Sequence, residues 1–238
     1  MKLDILAIAS HPDDAELSCS GTLAAHVAKG YRVGILDLTR GEMGTRGTPE
    51  LRMKESEAAS AILKLSMREN LGFEDVFFLD DKAHHLEIVK VIRKYQPEII
   101  LANAIRDRHP DHGKGASVVS NACFISGLRK TETFMDGKAQ APWRPDFIYH
   151  YIQNNHIEPD FVVDISAYWD TKLASIKAFK SQFHDPQSTE PQSFISSPNF
   201  LDFIEARAKE MGHRILANYG EGFTVERTIG VNDLFDLK

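Results

Sequence analysis

Two short clusters of histidine and aspartate carry the chemistry this sequence can offer: His11-Pro12-Asp13-Asp14 and His109-Pro110-Asp111-His112. Imidazole nitrogens and carboxylate oxygens are the ligands of a catalytic divalent ion, which typically takes about three from the protein and keeps a position for water. His11 and Asp14, close together on a tight turn, can reach one ion while Asp13 stays free. A free carboxylate beside a metal-bound water is a general base, because the ion lowers the pKa of that water to around 7. In the second cluster one histidine can complete the triad. The other then stays free to stabilise an oxyanion or protonate a leaving amine, with Asp111 fixing the orientation of such an imidazole. Asp and Pro favour turn starts, so one His-Pro-Asp turn is ordinary. Two of them, each behind a run that reads as a buried strand, are not, because a turn needs no histidine.

The elements that must position these clusters alternate. Residues 3–9 read as a strand, 21–29 as a helix stopped by Gly30, and 32–38 as a second strand. A Gly-rich loop at 40–47 follows, then Thr48 as N-cap and Pro49 at the first helical position, with Leu51, Ala58, Ala59, Ile62 and Leu63 as an apolar stripe. Residues 76–79 are expected as the third strand, 86–95 as a helix and 98–102 as the fourth strand. This β/α alternation predicts an α/β fold: a Rossmann-like, doubly wound, mostly parallel sheet with helices on both faces. The order 3-2-1-4 sets strands 1 and 4 side by side at the switch point, where ligands bind outside the carboxyl ends, so His11 and His112 are expected to share a site. Further on, 116–128 reads as a helix, 131–145 as a loop, 147–152 and 161–165 as strands, and 168–183 and 198–218 as helices. The Pro/Ser/Gln-rich stretch 184–197 reads as an ordered loop over the site or at a subunit contact. The chain is expected to be a single domain over 1–238, with the core and its site in 1–130 and the pocket completed by 131–238.

The bulk properties narrow the classes. The 238 residues can bury a substantial core, and 42% hydrophobic with 26% charged residues is ordinary for a globular protein. A formal net charge of -6 with no basic stripe argues against nucleic-acid binding. No apolar stretch approaches the roughly 20 residues that span a bilayer, so no membrane partner is expected. Cys19 and Cys123 have no CxxC neighbour, and Met1-Lys2 leads directly into a strand without a signal-peptide h-region, so a reduced, cytoplasmic setting is expected.

The Ala9-Ser10-His11-Pro12-Asp13-Asp14 start with Gly21-Thr22 downstream, together with Arg108-His109-Pro110-Asp111-His112, resembles the PIG-L/LmbE family of zinc-dependent N-acetylglucosaminyl deacetylases. The likeness extends over nearly the whole chain. It is similar to the bacillithiol branch, which deacetylates N-acetylglucosaminyl-malate, through residues 34–39, Glu50-Leu51-Arg52, 108–112, Ser181-Gln182-Phe183 and 219–223. The resemblance implies one Zn2+ per chain (Fe2+, Co2+ or Mn2+ would fit) on His11, Asp14 and His112. It implies Asp13 as general base, His109 as charged oxyanion stabiliser or general acid, and Arg52 as the binder of the malate carboxylate. It also implies a homo-oligomer, a hexamer in the family, acting on a small GlcNAc conjugate. Residues 15–20 depart from the glycine-rich wording common in the family. Arg52 has an argument of its own, since a guanidinium near the carboxyl edge of the sheet suits bidentate carboxylate binding. Arg40 and Arg46 are weaker candidates for the same role, and Arg108 is a further substrate-binding candidate. His150, His156 and His184 are candidates for lining the pocket, whereas His26, His84, His85 and Cys19 read as structural. The competing readings are a two-metal phosphoesterase, which needs a second ligand set, and a sugar-binding module, in which Asp13 and His109 are dispensable.

Overall fold

Strand β1 (Ile5–Ala9) is buried at every position, as is β2 (Val33–Thr39). In β1, Leu6 and Ile8 pack into one apolar layer, while Ile5, Ala7 and Ala9 pack into the other. A strand whose two faces are both apolar must be covered on both, which is the signature of a parallel sheet. The structure is a computed structural model that describes residues 1–236. Its central sheet has seven strands in the order β3-β2-β1-β4-β7-β9-β8, with β3 Met67–Phe73, β4 Ile99–Ala102, β7 Phe147–Tyr151, β8 Phe161–Asp164 and β9 Gly220–Val225. The strands from β3 to β7 run parallel, while β9 is antiparallel to both β7 and β8. Helices α3 (Lys82–Tyr95) and α4 (Pro110–Ser126) cover one face. On the other, α1 (Asp14–Ala28) packs with α2 (Pro49–Leu63) and α5 (Trp169–Lys177), and α6 (Phe200–His213) closes over β9.

The expected order 3-2-1-4 is therefore the observed one, and β1 lies beside β4 with Ala7 opposite Leu101. Several elements differ from expectation for identifiable reasons. The third strand is residues 67–73, and 76–79 forms part of the turn that follows it. This edge strand reads as polar because Arg68 stands in it, yet Arg68 bridges Glu16 and Asp37 at 2.6 and 2.8 Å. Helices α1 and α4 start earlier than their apolar periodicity does, at Asp14 and Pro110, because the two His/Asp clusters run directly into their first turns. Carboxylates at helix N-termini complement the macrodipole and satisfy orphan N–H groups. Helices α5 and α6 stop short of 183 and 218. Strand β9 and the hairpin β5 (Phe134–Met135) with β6 (Lys138–Ala139) lie where no strand is expected. Among the described residues, no helix is long and apolar enough to cross a membrane.

Thr48 caps α2 as expected, accepting from the Leu51 N–H at 3.2 Å with Pro49 following. At the carboxyl end of β1, α4 approaches so closely that a Cβ on Gly115 would lie 2.3 Å from Ser10 Oγ. Ser10 in turn donates to Asn103 Oδ1 from both its N–H and its hydroxyl, tying the end of β1 to the end of β4. Gly115→Ala is expected to cost about 1–3 kcal/mol by overpacking this contact, read from urea denaturation. A loss below about 0.5 kcal/mol would show that the two strand ends yield easily.

Candidate metal centre

His11 and Asp14 come from the β1–α1 turn, and His112 from the first turn of α4. Each imidazole has one nitrogen held from outside and the other facing Asp14. His11 Nε2 lies 2.9 Å from Asp75 and 3.3 Å from Asp111, while its Nδ1 is 3.5 Å from Asp14 Oδ2. His112 Nδ1 lies 2.6 Å from Asp107, and its Nε2 is 3.0 Å from Asp14 Oδ1. Asp14 is steadied by Asn103 Nδ2 at 3.1 Å and Gln153 Nε2 at 3.0 Å. Metal-binding histidines characteristically give their outer nitrogen to a carboxylate. Asp75 and Asp111 also accept backbone N–H groups, from Met43 and Val76, which marks them as the outer layer. The expected ligands His11 and His112 both border Asp14, but the groups of donor atoms lying within 4.8 Å of one another are His11 with His109 and His112, and His11 with Asp75 and Asp111. His109 is within reach as well, its ring nitrogen grouped with those of His11 and His112 inside 4.8 Å.

The charges follow. Burial would raise Asp14, but His112 and His11 outweigh it and hold the carboxyl well below its ordinary range. Burial would lower His11, yet its bonds to Asp111, Asp14 and Asp75 raise it well above 6.5. For His112 burial is again overcome, by Asp14 and Asp107, and the ring is pushed up to about 9.

Asp13 behaves differently. Its φ of 106° is in the left-handed region, where a residue with a side chain is strained by about 1–3 kcal/mol. The carboxyl makes no cap to α1 and instead meets Arg52 Nη2 at 3.3 Å. Burial pushes its pKa up to about 7, with Asp14 adding to the rise and Arg52 opposing it. That is the range a general base at neutral pH needs.

His109 caps α4, its Nδ1 accepting from the Asp111 N–H at 3.3 Å, and its ring lies 4.7 Å from that of His11 and 5.2 Å from that of His112. Burial, then the charges of these two rings, lower its pKa, which disfavours the charged imidazole expected from the sequence, and with Nδ1 accepting from the Asp111 N–H the nitrogen left to donate is Nε2. Asp111 also acts otherwise than expected. Its backbone steadies His109, but its carboxylate goes to His11.

The three histidines, Asp13 and Asp14 face one cavity of about 320 Å³, which Arg46, Arg52, Arg108 and Arg207 also line. Arg52 is occupied differently from the expected carboxylate binder. Its terminal nitrogens donate to Gly41 O and Pro12 O as well as meeting Asp13, and its Nε is buried without a partner. Arg46 has all three nitrogens engaged by Ser181 O, Pro191 O and Ser188 Oγ, which pins the 184–197 loop over the site. Ser193, Phe194 and Ile195 of that loop line the cavity, and Arg108 lies 4.2 Å from the Phe194 ring. His150, His156 and His184 do not line it. His150 is buried between Asn103 O and Glu226, and the other two are exposed. Cys19 and Cys123 are buried free thiols.

Sequence reasoning missed Asp75, Asp107, Asn103, Gln153 and Arg207. Asp107 had a signal in its place two residues before the second cluster, and Asp75 was obscured by reading 76–79 as a strand. Asn103, Gln153 and Arg207 had none, since only the fold brings them to the site.

Comparison with known proteins bears on the family and the fold. The sequence pattern of the PIG-L family, described as GlcNAc-PI de-N-acetylase, matches residues 6–123. A diacetylchitobiose deacetylase of Thermococcus kodakarensis is 30% identical over 75% of this chain and 70% of its own length. A 4-oxalmesaconate hydratase of Pseudomonas putida is 26% identical over 75% and 74%. The crystal structure of the conserved protein TT1542 from Thermus thermophilus superposes with a TM-score of 0.86 at 37% identity, covering 97% of this chain and 98% of that one.

Proposed function

This chain belongs to the PIG-L family, GlcNAc-PI de-N-acetylase, and from that premise we propose that it is a metal-dependent deacetylase that removes the acetyl group from a small GlcNAc conjugate. The observation that carries the reading is the convergence of His11 Nδ1, Asp14 and His112 Nε2 beside an Asp13 carboxyl raised to about 7. Zn2+ is the ion proposed for the mixed N/O ligands, and Fe2+, Co2+ and Mn2+ suit the same set. Held there, the ion supplies Lewis acidity and a water of lowered pKa. Asp13 takes the proton of the attacking water, and its strained backbone and Arg52 aim the carboxylate away from helix α1. His109 offers its Nε2–H to the oxygen that gains charge as the amide carbon becomes tetrahedral. The pinned 184–197 loop excludes bulk water from one wall. A single ion is proposed over the two-metal phosphoesterase arrangement because the two groups of donor atoms, His11/His109/His112 and His11/Asp75/Asp111, share His11.

N-acetylglucosaminyl-malate is the substrate proposed, on the resemblance of residues 34–39, Glu50 to Arg52 and 108–112 to the bacillithiol branch, and chito-oligosaccharides are the alternative. The test is release of free amine by zinc-loaded protein from N-acetylglucosaminyl-malate, free N-acetylglucosamine and chito-oligosaccharides. Turnover is expected with the malate conjugate leading, and no amine from any of them would end the deacetylase reading. The hydratase relative favours a second reading, addition of water to an unsaturated acid with the same ion and base. Loss of the conjugated absorbance of such an acid, without acetate release, would select it.

A further inference from the structure

The four arginines around the cavity differ in what neutralises them. Arg52 stands 3.3 Å from Asp13, and Arg46 3.8 Å from Glu190. Arg108 lies exposed at the rim over Phe194. Arg207, on α6, is partly buried and lines the cavity wall beside Ile204 and Phe203. One of its terminal nitrogens donates to Leu17 O at 3.1 Å, its guanidinium carbon is 5.6 Å from the Phe203 ring, and it forms no ion pair among the described residues.

Asp107 and Glu221 are the acids whose charges act on it, and both are committed elsewhere: Asp107 to His112 and the Asn155 N–H, Glu221 to Lys172. Burial pushes Arg207 down to about 10, so the group is cationic at neutral pH but poorly solvated. A cation kept out of water without a counter-charge is costly, and the cost falls when a ligand brings the missing anion. A guanidinium presents a planar fork that matches a carboxylate or phosphate with two parallel bonds. A single bond to Leu17 O leaves most of that fork unused.

We propose that Arg207 forms an anion-binding subsite in the wall of the metal cavity, which takes an acidic group of the substrate, a carboxylate or a phosphate. This rests on the deacetylase reading only in assigning that group to the part of the conjugate beyond the acetylated sugar. The subsite approaches from α6, on a different element from Arg52.

Calorimetric titration of the zinc-loaded protein with L-malate and, separately, with inorganic phosphate tests it. The wild type is expected to bind at least one of the two, and the anion bound more tightly identifies the acidic group. Arg207→Gln should weaken that binding about tenfold or more, and Arg207→Lys, which keeps the charge but not the fork, by a smaller factor. With substrates, Arg207→Gln should raise KM for N-acetylglucosaminyl-malate about tenfold or more relative to the change for diacetylchitobiose. No binding of either anion by the wild type would overturn the subsite, as would Arg207→Gln binding with wild-type affinity. Should loss of the Leu17 contact unfold Arg207→Gln, seen as lost circular dichroism, Arg207→Lys decides, and wild-type affinity in that variant would likewise overturn it. Failure of the wild type to release acetate from any GlcNAc compound overturns the deacetylase reading separately, leaving the anion titration to judge Arg207.

Discussion

Asp13→Asn protein will retain its metal and lose about 10² to 10⁴ in kcat. The amide keeps the shape of the carboxylate and a contact for Arg52, so the site survives, but it cannot accept a proton. His112→Ala should behave oppositely and lose the ion itself, because His112 Nε2 faces Asp14 at 3.0 Å, whereas the neighbouring His109 has its Nδ1 taken by the Asp111 N–H. The pair of variants therefore separates the base from the ligands. Metal content by atomic absorption and kcat for amine release are the measurements. An Asp13→Asn protein that keeps activity within a few fold would move the base elsewhere. Loss of its zinc would make Asp13 a ligand.

Glu221→Gln is expected to cost about 3–5 kcal/mol of stability, the range for breaking one side of a buried ion pair. Glu221 accepts from Gly21 N–H at 3.0 Å and Thr22 N–H at 2.7 Å in the middle of α1, and from Lys172 Nζ at 2.6 Å. Lys172 donates also to Glu16 O and Leu17 O, each at 3.1 Å. The pair thus clamps the backbone of the helix whose first residue is Asp14, and both side chains are almost fully buried. Removing the carboxylate leaves the ammonium buried without its counter-charge. Replacing both, with Lys172→Met added to Glu221→Gln, should recover part of the loss, because a buried pair is worth less than either half left alone. Urea denaturation of the metal-loaded proteins reads both values. A loss below about 1 kcal/mol for Glu221→Gln would show that water reaches Lys172 and solvates it.

The sequence by itself determined the class of fold and the place of its chemistry. Runs such as 3–9, apolar on both faces, require cover on both sides, and parallel strands need long crossovers, so a mostly parallel sheet with helices on both faces follows from pattern alone. The His/Asp clusters at two strand ends then have to meet, and His11 and His112 do, with ring centroids 5.7 Å apart. What the tertiary structure decided is the company each group keeps. Asp75, Asp107, Asn103 and Gln153 reach the site from loops and strand ends far apart in the chain, and no local periodicity records such contacts. Arg52 and Arg46 look free in sequence, yet both are spent on backbone carbonyls and nearby acids, while Arg207, an ordinary position on a helix, forms no ion pair among the described residues. Edge strand β3 and strand β9 were hidden for the same reason. Arg68 and Glu221 lie within them as charged residues, and only their buried partners, Glu16 with Asp37 and Lys172, make those charges compatible with a sheet. Hydrophobic patterning is local and can be read along the chain. Charge compensation is a property of neighbours in space, and the fold has to bring them together before it can be seen.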